Sequence, residues 1–120
     1  MVTPNLEPTA YIKKGDLRPF LDVELQDVNS YPLNLSGSTV TFSMRVNGQV
    51  GGTPKLKDGA CEILDAEKGQ VRYVWQSADV DTANVFEGEF TITDEDGRKQ
   101  TLPTDGFMLV VINDIVEAAS

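Results

Sequence analysis

Apolar and polar residues alternate along much of this 120-residue chain. The alternation covers residues 20–26, 39–46, 71–75 and 86–92, and each stretch places its apolar side chains on one side of an extended backbone. No stretch repeats apolar residues at helical spacing for more than about two turns. The pattern therefore predicts half-buried β-strands rather than helices.

Shorter or less regular segments complete the pattern. Residues 11–13 predict a short first strand, and residues 60–64 predict another, which follows a turn at residues 58–59. Residues 107–112 are apolar without a break, which is typical of a strand covered on both faces. Each of these segments is bounded by turn-forming residues, so we expect separate strands.

Short strands separated by turn signals every 8 to 12 residues or so are typical of a β-sandwich or a β-barrel. We expect the domain to span residues 11–112, with an extended N-terminal arm over residues 1–10 and a C-terminal tail over residues 113–120. The side chains expected to be largely buried between two sheets are Phe42, Met44, Tyr73, Trp75, Phe90, Ile92, Leu109 and Val111.

Charge and composition narrow the range of functions. The chain carries 19 acidic and 10 basic residues, a net charge of −9, and this charge repels nucleic acid and anionic membranes. It has no histidine and one cysteine, Cys61, which we interpret as a small apolar residue on a strand. We therefore expect no internal disulfide, no catalytic thiol and no high-affinity zinc or copper site. No signal peptide or membrane span is apparent, so we expect a soluble protein made in a cytosol.

Acidic clusters are the first candidates for chemistry. Residues 94–96 are acidic, but they stand at the tip of a predicted hairpin, and we interpret them as a solvated turn rather than a calcium loop. Asp79, Asp81 and Asp105 could meet at one end of a sandwich as a surface cation site. A carboxylate pair could cleave a glycoside, but no insertion that would form a cleft is present. The sequence assigns no catalytic, cofactor-binding or metal-binding residue, and it predicts a protein that is not an enzyme.

An aromatic strand is the other candidate. Tyr73 and Trp75 could form a platform on which a sugar stacks, or they could belong to the core. We favour the core, because Arg72 and Gln76 are polar and would take the solvent side of the strand. The burial of Trp75 distinguishes the two interpretations.

Five features follow one another in an order that resembles a known family. They are Asp16, Pro19 and Asp27 around one strand; Leu35-Ser36-Gly37 before the strand at residues 39–46; Gly69 before Val71, Tyr73 and Trp75; Phe86, Gly88 and Phe90 on one strand; and Thr101 and Pro103 before the last strand. Over residues 11–112 this order resembles the N-terminal domain of the phage baseplate upper protein family. No single motif is specific, and the resemblance depends on all five.

The resemblance implies an all-β, immunoglobulin-like β-sandwich of about seven antiparallel strands. It implies a structural component of a phage or prophage virion, an adaptor that binds other tail, neck, baseplate or head proteins. From the sequence itself we expect contact through the edge strands, the loops and the two terminal arms, with an oligomer allowed in the particle. The alternative function is a carbohydrate-binding module for attachment to a cell surface. We expect no cofactor, nucleic acid or membrane partner, synthesis in the bacterial host cytoplasm, and location in the virion.

Overall fold

Nine β-strands form two sheets in residues 9–104 and 106–116, which are the residues that the computed structural model describes. In chain order the strands are β1 (Thr9–Lys13), β2 (Leu21–Glu24), β3 (Thr39–Val46), β4 (Leu56–Ala60), β5 (Glu62–Asp65), β6 (Gln70–Tyr73), β7 (Asn84–Thr93), β8 (Lys99–Leu102) and β9 (Met108–Asn113). A 3₁₀ turn over Ser77–Asp79 lies between β6 and β7. The predicted all-β sandwich is confirmed, with more strands than expected. Within the described residues, no helix has the length and apolar character needed to cross a membrane.

β7 is central to the larger sheet, whose strand order is β1-β9-β7-β3-β4. β3 pairs with one side of β7, while β9 and β8 follow one another along its other side. β1 then adds to β9 in the parallel direction, with Thr9 opposite Leu109 and Lys13 opposite Asn113. This pair departs from the predicted antiparallel arrangement. It joins the two ends of the domain, and local sequence patterns contain no information on such distant pairing.

β4 and β5 carry the chain from the larger sheet to the smaller sheet, whose order is β2-β6-β5. Cys61 lies half-buried at the corner between them, where burial raises the pKa of its thiol to about 12. The register of β4 against β3 shifts by one residue at Asp58, which has a φ of +53° and donates its N–H to Ser43 Oγ (2.9 Å). The predicted turn at residues 58–59 is therefore wrong, because these residues form a bulge within β4. The predicted strand at residues 60–64 is divided between the two sheets.

The core fills the space between the sheets. The predicted burial is confirmed for Phe42, Met44, Tyr73, Trp75, Phe90 and Ile92. It is wrong for Leu109 and Val111, which are half-buried, whereas Met108, Val110 and Ile112 on the same strand are buried. Because each residue from Met108 to Ile112 is apolar, this part of the strand has no alternation from which its buried face can be read.

The loop between β2 and β3 closes one end of the core. Leu35 is buried there, and its N–H donates to the Ala66 carbonyl (2.8 Å). Beneath this loop Gly69 has a φ of +66°, and a Cβ at that position would lie 2.5 Å from the Leu25 carbonyl oxygen. Both the backbone angle and the close approach require glycine. Leu35 and Gly69, two residues of the family pattern, thus have packing roles at the same end of the sandwich.

The predicted terminal segments lie mainly outside the described residues. Residues 1–8 of the N-terminal arm and residues 117–120 of the tail lie outside the described residues. Thr9 and Ala10 belong to β1, and Asn113 is the last residue of β9. The division of the chain into arm, sandwich and tail stays a prediction.

Candidate interaction surfaces

The aromatic strand belongs to the core. Trp75 and Tyr73 are each 3% exposed. The Trp75 ring meets Tyr73 and Phe42 edge to face, with centroid separations of 5.4 and 6.1 Å, so the positive edge of one ring approaches the negative face of another. Neither Trp75 nor Tyr73 can stack on a sugar in this arrangement. The platform on which the carbohydrate-binding alternative depended is therefore not at the surface.

Asp79, considered above for a surface cation site, is buried. It is 4% exposed, and its Oδ2 accepts hydrogen bonds from the Tyr73 hydroxyl (2.6 Å) and the Gln76 N–H (2.8 Å). Burial first, and the hydrogen bond to Asp79 second, raise the pKa of Tyr73. A buried tyrosine hydroxyl needs a partner, and Asp79 supplies it. The role of Asp79 is therefore structural.

The other acidic candidates face cations on the surface. Asp81 pairs with a lysine of the loop before β4. In the hairpin between β7 and β8, Arg98 contacts both Asp94 (3.4 Å) and Asp96 (2.8 Å), and Asp94 Oδ1 accepts two backbone N–H groups of the same turn. These oxygens stabilise their own turn instead of surrounding a common centre, as a calcium loop would require. Asp105 lies outside the described residues, among which no group of three or more His, Cys, Asp or Glu side chains could hold a metal ion.

A cavity of about 340 Å³ opens on the outer face of the larger sheet, between β3, β4 and β7. Arg45 Nε lies 2.8 Å from Glu87 Oε1, and the Arg45 guanidinium lies 4.8 Å from the centre of the Phe107 ring. This cation–π contact occupies the ring that lines the cavity. The cavity therefore presents the Arg45–Glu87 ion pair, and the Arg45 guanidinium covers one face of the Phe107 ring.

A second cavity, of about 390 Å³, is a groove between the edges of the two sheets, where β1 faces β2. Ile12, Leu21 and Trp75 in its lining are buried core residues, so the groove is an opening into the side of the core. Tyr11 and Phe20 also line it, and Tyr11 is 64% exposed. We refer to this opening, formed by residues 9–12, residues 19–22 and Trp75, as the β1–β2 groove.

Arg72 holds one wall of the β1–β2 groove in place. Its guanidinium donates to both carboxylate oxygens of Asp22 (2.7 and 3.0 Å) and lies 4.6 Å from the centre of the Phe20 ring. The hydrogen bond from Arg72 lowers the pKa of Asp22. The charge of Asp22 in this wall is therefore balanced, and one face of the Phe20 ring is covered.

Unpaired cations border the β1–β2 groove where the chain leaves β1 and enters β2. The basic residues of this connection are Lys13, Lys14 and Arg18. Its backbone is anchored, since the Lys14 N–H donates to the Asn113 carbonyl (2.7 Å) and the Gly15 N–H donates to the Val80 carbonyl (2.8 Å). Within the described residues, the side chains of Lys14 and Arg18 form no ion pair. The same connection contains one carboxylate, Asp16, so its three cations and one anion leave residues 13–18 with a net charge of +2 on a chain of net charge −9.

Among the described residues, no strand pairs with the outer side of β1, so β1 is also a regular edge of the larger sheet. Edges β4 and β5 carry register shifts, and edges β2 and β8 have only four residues each. Bulges and short length protect a sheet edge from pairing with another chain. β1 pairs with β9 in unbroken register over five residues. Because the Lys14 N–H points to β9 and N–H groups alternate sides along a strand, those of Tyr11 and Lys13 point to the open side.

The two packed sheets fit an immunoglobulin-like β-sandwich domain. The family model of the BppU N-terminal domain, the N-terminal domain of phage baseplate upper proteins, matches residues 10–120. The chain therefore belongs to that family, and the predicted resemblance is confirmed. It is a structural component of a phage particle.

A solved structure has the same fold. The N-terminal domain of phage TP901-1 ORF48 matches with a TM-score of 0.59 and 17% sequence identity, over 93% of each chain. At this identity the likeness is evidence for the fold alone. A search of the curated proteins found no match to this sequence.

Sequence reasoning missed the β1–β2 groove. Its two walls come from separate segments, and it lies at the β1 edge because β1 adds to β9 in parallel. A signal was nevertheless present, because Tyr11 and Phe20 flank three cations within ten residues of an acidic chain. That local excess of positive charge, between two aromatic residues near the sheet edges, is the feature from which the site could have been found.

Proposed function

We propose that this chain is an adaptor of the phage baseplate that binds a neighbouring protein of the particle at the β1–β2 groove. The groove carries the proposal, because it combines apolar lining, a regular open edge and unpaired cations in one place. Exposed apolar surface rimmed by polar groups is typical of protein-binding sites. Membership of a baseplate family supplies the setting in which such a site would be used.

The proposed role is structural, without catalysis. The carboxylates considered for chemistry are engaged: Asp79 with Tyr73, and Asp94 with Arg98. We also propose synthesis in the cytoplasm of the bacterial host, followed by assembly into the virion. Purified protein incubated with host cell-wall polysaccharide should neither bind nor degrade it, as followed by calorimetry and by release of reducing ends.

Particle assembly tests the adaptor role. A phage lacking the gene is complemented from a plasmid, and its purified particles are analysed by immunoblot and electron microscopy. We expect the wild-type chain in the particles and incomplete baseplates when it is missing. If purified particles never contain the chain, or if particles without it have complete baseplates, the adaptor role is rejected.

Two matched substitutions test the groove as the binding site. Tyr11, at the groove, and Tyr31, in the loop between β2 and β3, are exposed to a similar extent, 64% and 67%. Tyr11→Asp should reduce incorporation into particles, because it replaces an exposed aromatic ring on the edge strand of the groove with a carboxylate, whereas Tyr31→Asp should leave incorporation unchanged. Equal incorporation of the two variants would place binding elsewhere.

Deletions test the terminal arms, which were predicted as docking elements. Removal of residues 1–8 and, separately, of residues 115–120, which spares Asn113 of β9 and the Asp114 carbonyl that Lys13 contacts, should be compared with the full chain for folding and incorporation. If the arms contribute to docking, the shortened proteins fold but incorporate less. Normal incorporation of both would leave docking to the sandwich itself.

A further inference from the structure

We infer that β1 accepts an extended segment of a neighbouring virion protein as an additional strand of the larger sheet, and that this segment carries carboxylates facing Lys14 and Arg18. The inference rests on the proposed adaptor role and deepens it, because it states how the partner binds and what its binding segment contains. Three independent features of the β1–β2 groove support it: the open backbone of β1, the apolar lining and the charge of the border.

The backbone of β1 provides the first feature. Its five residues run without a bulge or a proline, and the N–H groups of Tyr11 and Lys13 face away from β9. An extended peptide laid beside β1 can bond to these groups with ordinary ladder geometry. A helix cannot, because its own backbone bonds are already made within the helix. An edge of this kind therefore selects an extended partner.

The lining of the groove provides the second feature. Ile12 points between the sheets and Tyr11 points outwards, so a strand added beside β1 alternates in the same way. Every second side chain of that strand would enter the groove beside Ile12 and Leu21, over Trp75. The partner segment should therefore have apolar residues at alternate positions. Binding would extend the core instead of covering a flat surface.

The charge of the border provides the third feature. Lys14 and Arg18 have no carboxylate partner within the described residues, while Asp22 on the facing wall is already neutralised by Arg72. Most of the chain repels an acidic segment, since the net charge is −9, and this border attracts it. Electrostatics therefore direct an acidic segment to the β1–β2 groove and fix its direction along β1.

A second copy of the chain fits these features less well. Two copies of net charge −9 repel one another. The β1 strand of a second copy would also bring Lys13 and Lys14 to the edge, where Lys14 and Arg18 require carboxylates. We therefore assign the edge to a different protein of the particle.

Photocrosslinking in assembled particles identifies the occupant. p-Benzoylphenylalanine replaces Tyr11 in one protein and Tyr31 in the matched control, and crosslinked peptides are sequenced by mass spectrometry. We expect the Tyr11 position to capture one segment of another virion protein, with alternating apolar residues and at least one Asp or Glu. A basic segment, a helical segment, a peptide of this chain itself, or no product above the control would overturn the inference.

Charge reversal tests the role of the border. Lys14→Glu with Arg18→Glu is compared with Lys68→Glu and Lys99→Glu, which alter net charge equally at two lysines that form no ion pair within the described residues. Each purified protein is added to particles assembled without the chain. The first variant should need about a tenfold higher concentration for half-saturation, and the control should bind like wild type.

The two experiments separate this inference from the adaptor role. If wild-type protein binds the particles but both charge variants bind equally well, the strand-addition inference fails and the adaptor role stands. If wild-type protein neither binds these particles nor occurs in native ones, the adaptor role fails as well. Thermal unfolding of each variant confirms that it is folded before its binding is compared.

Discussion

The buried hydrogen bond between Tyr73 and Asp79 leads to a quantitative prediction about stability. Both residues are almost fully buried, and Asp79 Oδ2 accepts the Tyr73 hydroxyl at 2.6 Å and the Gln76 N–H at 2.8 Å. The perturbations are Tyr73→Phe, Asp79→Ala and the double substitution. In the double variant, neither a hydroxyl nor a carboxylate is left in the core without its partner.

The expected losses follow from what each substitution leaves behind. Tyr73→Phe removes one hydrogen bond to a charged group, which contributes about 1.5 to 3 kcal/mol. Asp79→Ala leaves the Tyr73 hydroxyl unpaired and also removes the acceptor for the Gln76 N–H at the start of the 3₁₀ turn. We therefore expect this substitution to lower the free energy of unfolding by about 3 kcal/mol. The loss in the double variant should be smaller than the sum of the two single losses, and the difference should be about 1 to 2 kcal/mol.

Urea titrations followed by circular dichroism measure these free energies of unfolding. Tyr31→Phe is the control, because it removes a hydroxyl from an exposed ring and should change stability by less than about 0.5 kcal/mol. Additive losses, within about 0.5 kcal/mol, would show that the Tyr73 hydroxyl and the Asp79 carboxylate do not depend on one another. That result would refute the structural role assigned to Asp79.

Three further predictions concern the core, a close approach and pH. Phe90→Ala should cost about 3 to 5 kcal/mol of the free energy of unfolding, because the ring is fully buried, whereas Phe107→Ala should cost about 1 kcal/mol, because that ring is 38% exposed. Equal losses of unfolding free energy in urea titrations would contradict the core assignment. Gly88→Ala should reduce the free energy of unfolding by about 1 to 3 kcal/mol and lower the thermal midpoint, because a Cβ would lie 2.8 Å from the Phe42 ring. An unchanged midpoint would argue against this contact. Asp22→Asn should cost less than about 1 kcal/mol at neutral pH. Since folding lowers the pKa of Asp22, its pairing with Arg72 adds to the free energy of unfolding above about pH 4, and this contribution is lost as the pH falls through the pKa of the folded state. The cost of Asp22→Asn should therefore shrink in acid, and a cost that grows there would contradict the pairing.

Strict alternation made much of the fold predictable. β3 and β7 have polar residues on one face and apolar residues on the other, so both their extent and their buried face could be read from the sequence. β9 is apolar on both faces, and the wrong face was assigned to Leu109 and Val111. At Asp58, a bulge was mistaken for a turn, because both structures favour residues that tolerate positive φ.

The candidate site was much less predictable than the fold. The β1–β2 groove joins residues from three parts of the chain, and its position depends on the parallel pairing of β1 with β9. Asp79 looked like a surface acid in a polar segment, since the sequence does not show that Tyr73 lies close enough to bond it. In both cases the missing information was a tertiary contact, whereas periodicity reports only which face of one strand is buried.

The parallel pairing of β1 and β9 has a mechanical consequence. The chain enters β1 at Thr9 and leaves β9 at Asn113, and these residues lie at opposite ends of the same ladder. Tension applied across the domain would pull two neighbouring strands past each other and load their backbone hydrogen bonds together, whereas a hairpin at its open end unzips one bond at a time. Single-molecule stretching from the two ends should therefore require a higher force than stretching across the β7–β8 hairpin, and equal forces would refute this. A domain held at both ends of such a ladder transmits a pull along its sheet while its core stays folded.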